Sequence, residues 1–147
     1  MSDKYMRHSS AIAQLVLASQ RIYKAVTSLM RKYELTESQY NALRVLRGAS
    51  SRKEELTQAE LADRLIASRA NTTWILDKLE NRRLVRRRGH KDRRKNLIEI
   101  TAAGQDLLQT IDPDFQALIG SVLKNVSDSE LDTMLKVIEK FDFSSNV

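Results

Sequence analysis

From Ile12 onward the apolar side chains fall at Ile12, Leu15, Val16, Ile22, Tyr23, Val26, Leu29, Met30 and Tyr33. That spacing predicts an amphipathic helix of about six turns, over residues 10–33. Leu35 and Thr36 then open a second helix. Thr36 supplies a cap, Gln39 completes a capping box, and Leu35 is placed to staple onto Tyr40. Tyr40, Leu43 and Leu46 form its inner face, Gly48 suits its C-terminal stop, and the polar run Ala49 to Glu55 reads as a loop. Thr57 and Glu60 repeat the capping box, with Leu56 set to staple onto Leu61. The short helix they open has its apolar side chains at Leu61, Ala62 and Leu65. Ser68 is the next N-cap, ahead of Thr72, Ile75, Leu76 and Leu79 at helical spacing, and this fourth helix ends near Asn81. Two short helices separated by a few residues form a helix-turn-helix pattern.

The period then changes. Leu84 to Arg88 and Lys95 to Ile100 read as two strands, joined by Gly89-His90-Lys91-Asp92 as the turn. A two-stranded ribbon behind a helix-turn-helix is a wing. Thr101 caps a further helix with Leu107, Leu108 and Ile111 on one face. Pro113 is expected to kink or restart that helix, with Asp112 as the fresh cap. The stripe resumes at Phe115, Leu118, Ile119, Val122, Leu123 and Val126. Ser127 and Glu130 make a third capping box, and a last helix carries Leu131, Met134, Leu135, Ile138 and Phe141. The expected fold class is therefore all-α with a small β-wing, a winged helix-turn-helix over 35–100 flanked by terminal helices over 10–33 and 102–141. The whole chain, 1–147, reads as a single domain.

Charge sharpens the picture. Lys and Arg number 25 against 19 Asp and Glu, and Arg82 to Lys95 alone holds nine bases and one acid. Concentrated positive charge is the footprint of a polyanion-binding patch. The sequence has no cysteine, which excludes disulfides, thiolate nucleophiles, cysteine-based peroxide sensing and most structural zinc sites. Histidine occurs only at His8 and His90, and no glycine-rich phosphate loop or H-E-x-x-H is present, so no enzyme and no cofactor are expected. No apolar run approaches the ~18 residues of a membrane span, and the start MSDKYMRHSS lacks a signal peptide's apolar stretch. A cytoplasmic protein is expected.

The runs LTESQYNALRVL, LTQAELADRL, SRANTTWILDKLE, LVRRR, DRR and IEITAAGQDLL resemble the MarR family of winged helix-turn-helix regulators, from about Leu35 to Leu108. The helical flanks match the family's dimerisation helices in position. The resemblance implies a homodimeric transcription regulator whose hold on DNA is modulated by a small, often aromatic, anionic effector. It also implies that Asp92 orients Arg94 at the wing tip. Two departures stand out. Trp74 replaces a basic residue, and Arg83 replaces a glycine before Leu84, where a positive φ would strain it.

The residues themselves suit that role. With Thr72 as the inward reference, Ile75, Leu76 and Leu79 share its face, and Asn71, Thr73, Trp74, Asp77 and Lys78 point away. Ser68 and the first-turn amides suit a phosphate; Arg69, Asn71 and Thr73 suit base edges in the major groove of duplex DNA. Trp74 has two placements open to it, a thymine methyl or sugar, or cover by the wing or a nearby loop. Arg86, Arg87, Arg88, Lys91, Arg93 and Arg94, with Asp92 among them, suit a narrow minor groove. The apolar stripes of the terminal helices need cover, and a second copy is the preferred partner, the two subunits reading a pseudo-palindromic operator. Tyr23, Arg44, Arg47 and His8 are candidates to border a ligand space, although each also reads as structural or solvated. The alternative is an architectural or protein-binding winged-helix module without operator specificity.

Overall fold

The structure is a computed structural model that describes residues 3–65, 67–89 and 96–142. The elements run α1 (Asp3–Arg31), α2 (Glu37–Ser51), β1 (Leu56–Thr57), α3 (Gln58–Leu65), α4 (Arg69–Asn81), β2 (Val85–Gly89), β3 (Asn96–Ile100), α5 (Ala102–Val122) and α6 (Asp128–Ile138). They fall into two compact units, 1–115 and 116–147. Among the described residues no helix is long and apolar enough to cross a membrane.

The first unit holds the core. Tyr40, Leu43 and Leu46 of α2 are buried with Leu61 of α3, Ile75, Leu76 and Leu79 of α4, and Leu108 and Ile111 of α5. Leu56, Val85, Leu97 and Ile98 add a strand layer to the same core. The sheet is antiparallel in the order β1-β3-β2, with Leu56 opposite Ile98 and Arg87 opposite Ile98 on its other edge. Gly104 lies against the wing's base, where a Cβ would come within 2.3 Å of the Leu84 carbonyl oxygen. Glycine is required there because the backbones approach too closely for any side chain. In the second unit α6 starts on a capping box between Ser127 and Glu130, and none of its residues is buried.

The helix starts follow the sequence pattern. Thr36 and Gln39 form the full capping box of α2, and Ser68 Oγ accepts the Asn71 amide at the start of α4. The Thr57 and Glu60 side chains reciprocate with each other's amides ahead of α3. Thr101 Oγ1 accepts the Gly104 amide at the start of α5.

The helix ends differ from expectation. α1 starts at Asp3, upstream of the stripe. α2 does not stop at Gly48 but continues to Ser51, because Ala49 is a core residue and Lys53 takes the left-handed turn at φ 55°. The Glu54 amide then donates to the Ala49 carbonyl and the Lys53 amide to the Ser50 carbonyl. This is the Schellman pattern. The same pair of bonds, with a positive φ, recurs at Glu34 after α1 and at Arg83 after α4. All three turns use a charged residue where glycine is cheapest.

Further expectations are corrected. Leu56 and Thr57, expected as staple and cap, also form a strand, β1, by antiparallel pairing with β3. Gly89 belongs to β2, paired with Asn96, so it is not part of the turn; His90, Lys91 and Asp92 of the expected turn, and Lys95 of the expected strand, lie outside the described residues. α5 runs through Pro113 and does not restart there. Pro113 and Gln109, whose carbonyl loses its usual amide partner, are both exposed, so water can satisfy that carbonyl. Asp112 does not cap; its carboxylate takes both arms of Arg47. The last helix ends at Ile138, which leaves Phe141 beyond it.

Candidate nucleic-acid interface

The interface is built around α4. Thr72, Ile75, Leu76 and Leu79 are each no more than 1 % exposed, so the helix is locked by its inner face and its outer face is set. Arg69, Asn71, Thr73, Trp74, Asp77 and Lys78 are all exposed. Ser68 presents the first turn of α4 with its hydroxyl committed to the Asn71 amide at 3.1 Å. Thr73 Oγ1 donates to the Arg69 carbonyl at 3.0 Å and accepts from Gln58 Nε2 at 2.6 Å. Gln58 is the first residue of α3, so this bond ties the start of one helix to the outer face of the next. The sequence reading did not single out Gln58.

Trp74 is 51 % exposed, with the Lys78 ammonium 5.7 Å from its ring centroid. Among the described residues the ring stands half in solvent beside a cation, and wing residues 90–95, one expected source of cover, lie outside the described residues. Lys78 supplies, one turn on, positive charge of the kind expected at position 74.

In β2 the side chains alternate, and the three arginines do not present free charge outward as expected. Each is held by carboxylates. Arg87 is the least exposed, and its Nη1 donates to Glu80 Oε2 at 2.5 Å while Nη2 donates to Asp77 Oδ1 at 2.7 Å. Its backbone amide also donates to Glu80 Oε1 at 3.0 Å. Burial works against the Arg87 charge, but the hydrogen bonds to Asp77 and Glu80 outweigh it and raise the pKa. On the other face Arg86 Nε donates to Glu99 Oε2 at 2.7 Å. Arg88 pairs with Glu55 and reaches Glu99 Oε1 at 2.8 Å. The bond to Glu55, foremost, raises the Arg88 pKa. One signal for this lay in the hairpin register, which sets Arg86 opposite Glu99. Another lay in Asp77 and Glu80, three apart on α4. Lys91, Asp92, Arg93 and Arg94 lie outside the described residues.

Arg82 is also committed. Its Nη1 donates to the Glu34 carbonyl at 2.7 Å, closing the turn after α1. Of the candidates for a ligand space, Arg47 is engaged by Asp112, and the Arg44 guanidinium stacks 4.9 Å from the Phe115 ring centroid. Arg44, Arg52 and Arg64 line an open cleft between α2 and α3. Tyr23 and His8 are exposed on α1 and are not among the residues lining that cleft.

A family model described as MarR family matches residues 33–95. The HTH-type transcriptional repressor YetL of Bacillus subtilis is 30 % identical over 142 residues, covering 93 % of this chain and 84 % of YetL. The chain belongs to the MarR family. The HTH-type transcriptional regulator MhqR of Bacillus subtilis is also similar, 24 % identical over 132 residues, covering 86 % of this chain and 88 % of MhqR. A mutant of MarR from E. coli, solved in complex with operator DNA, shares the fold with a TM-score of 0.80 at 21 % identity, over 95 % of this chain and 98 % of that one. AbsC, a MarR family transcriptional regulator from Streptomyces coelicolor, shares it with a TM-score of 0.80 at 18 % identity, over 94 % and 91 %. Within this MarR-family fold, the stretch the family model matches is the one that carries α4 and β2.

Proposed function

We propose that this chain is a sequence-specific, duplex-DNA-binding transcription regulator that acts in the cytoplasm as a homodimer and has no catalytic role. The observation that carries the reading is the outer face of α4, where Arg69, Asn71 and Trp74 stand exposed on a helix whose inner face is fully buried. A helix held this way enters the major groove by its N-terminal half. Arg69 and Asn71 supply the donors and acceptors suited to guanine and adenine edges, and the amides after Ser68 suit a phosphate. Thr73, hydrogen-bonded to Gln58, stands beside them. The basic residues of 90–95 add the wing's contact with the minor groove.

The alternative, an architectural binder without sequence preference, needs a carpet of free cations. The pairing of Arg86, Arg87 and Arg88 with carboxylates favours the specific reading. Dimerisation is supported by apolar faces left open in the single chain: Ile12, Leu15, Val16 and Ile22 along α1, and Met134, Leu135 and Ile138 along α6. At ~25 cal/mol per Å² such surface repays cover, and a second copy supplies it. A small anionic effector that shifts the two winged units of the dimer apart would release the operator.

Asn71→Ala tests the base-reading role. On a duplex selected by the wild-type protein it should cost ~1–3 kcal/mol and relax the choice at one position per half-site. The dependence of affinity on salt should stay as it was, since no phosphate contact is lost. A uniform loss across all duplexes would place Asn71 on the phosphate backbone instead.

A further inference from the structure

We infer that Arg87, together with Asp77 and Glu80, is a clamp that positions the wing on the recognition helix and does not itself bind DNA. The inference rests on the DNA-binding reading above. Three bonds converge here. Glu80 takes both the backbone amide of Arg87 and its Nη1, and Asp77 takes Nη2. Each nitrogen at the end of the guanidinium therefore gives a hydrogen to a carboxylate, the cation is matched by two acids, and the side chain is only 21 % exposed. A guanidinium whose charge is matched by two carboxylates, and which is largely covered, has little attraction left to offer a phosphate.

The position makes the clamp consequential. Arg87 is the middle residue of β2, opposite Ile98 of β3, and the strand continues to Gly89 before the basic connection 90–95. At ~3.3 Å per residue, the clamp sits about 7 Å from the end of that strand. Holding the backbone of Arg87, and not only its side chain, fixes where β2 leaves the recognition helix. Asp77 is one turn beyond Trp74 on the exposed side of α4. Left unpaired there, its charge would face the phosphates that the helix must approach. Arg87 cancels it.

The clamp predicts a result opposite in sign to simple charge counting. Removing acids near a DNA surface ordinarily tightens binding. The test uses full-length protein, a labelled duplex selected by the wild type from a random pool, and a scrambled duplex of equal length. Asp77→Asn with Glu80→Gln, which keeps shape and removes both charges, should weaken binding to the selected duplex about tenfold. Binding to the scrambled duplex should hold or rise. Arg87→Ala should weaken selected binding by a similar factor with an unchanged salt slope, and combining the three changes should add little. Reversing the pair, Arg87→Glu with Glu80→Arg, should recover part of what Arg87→Glu alone loses.

Equal or tighter binding of the selected duplex by the doubly neutralised variant overturns the clamp. So does a salt slope reduced by ~0.9 in Arg87→Ala, the mark of one lost phosphate contact. If Arg87→Ala does not stay folded at the assay temperature, the amide variant alone decides. Failure of the wild-type protein to enrich any duplex overturns the DNA-binding reading itself, whereas the outcomes above overturn the clamp alone.

Discussion

Arg47 of α2 and Asp112 of α5 face each other fork to fork, with Nη1 to Oδ2 at 2.7 Å and Nη2 to Oδ1 at 2.9 Å. The two residues lie 65 positions apart in the chain, so the pair joins the helix before the helix-turn-helix to the helix after the wing. The hydrogen bond to Asp112, above all, raises the Arg47 pKa. Each side chain is about one-third exposed, at 34 % and 31 %, which keeps the desolvation penalty small.

A double-mutant cycle on that pair, Arg47→Met and Asp112→Asn, should give a coupling of about 1 kcal/mol by urea unfolding. That is the top of the usual range for an exposed ion pair. Strictly additive single effects would reduce the contact to a surface pair of no consequence.

The turn after α4 offers a gain of stability. Arg83 adopts φ 59° at the left-handed position of a Schellman turn. Arg83→Gly should raise the stability by about 1 kcal/mol, after allowing for glycine's freedom in the unfolded chain. A higher urea midpoint with an unchanged m-value is the expected reading. Lys53→Gly, at φ 55°, should behave the same way.

How much of this was legible in the sequence depends on how local the cause is. Helix starts were legible because a cap and its partner lie three residues apart, as Thr36 with Gln39 and Ser127 with Glu130. The inner face of α4 was legible for the same reason. Helix ends were less so. Gly48 looked like a stop, yet burial of Ala49 carries α2 onward and places the positive φ on Lys53. Arg83 was suspect only because a glycine was expected there, and its φ of 59° matches that expectation. The wing charges were misjudged because the acids that meet them come from other elements: Glu55 before β1, Asp77 and Glu80 on α4, and Glu99 on β3. Counting charge within Arg82 to Lys95 cannot show partners brought in by the fold.

Acid should loosen the start of the helix-turn-helix. Hydrogen bonds from Arg64, then Arg52, hold the Glu54 carboxyl below its ordinary value of 4.5. Because the folded value is depressed, this contribution is fully present above about pH 4.5 and fades as the pH falls through the lower folded value. Glu54→Gln should therefore be less stable than the wild type at pH 7. The difference should shrink as the pH falls below about 4.5 and through the lower folded value. A constant difference across that range would detach Glu54 from the effect.

The central claim is that two copies of this chain read two half-sites across a dyad. Half-sites read by such a dimer are expected ~10 base pairs apart. The most direct measurement is the affinity of the full-length dimer for a selected duplex before and after five base pairs are inserted between the half-sites. The insertion turns one half about 180° around the helix axis, so specific binding should fall to the level of a scrambled duplex. Leu131→Asp with Leu135→Asp, which charges the open face of α6, should yield a monomer or an unfolded chain and the same loss. Undiminished affinity for the inserted duplex, or tight specific binding of an isolated half-site by a monomer verified by sedimentation, would contradict the account.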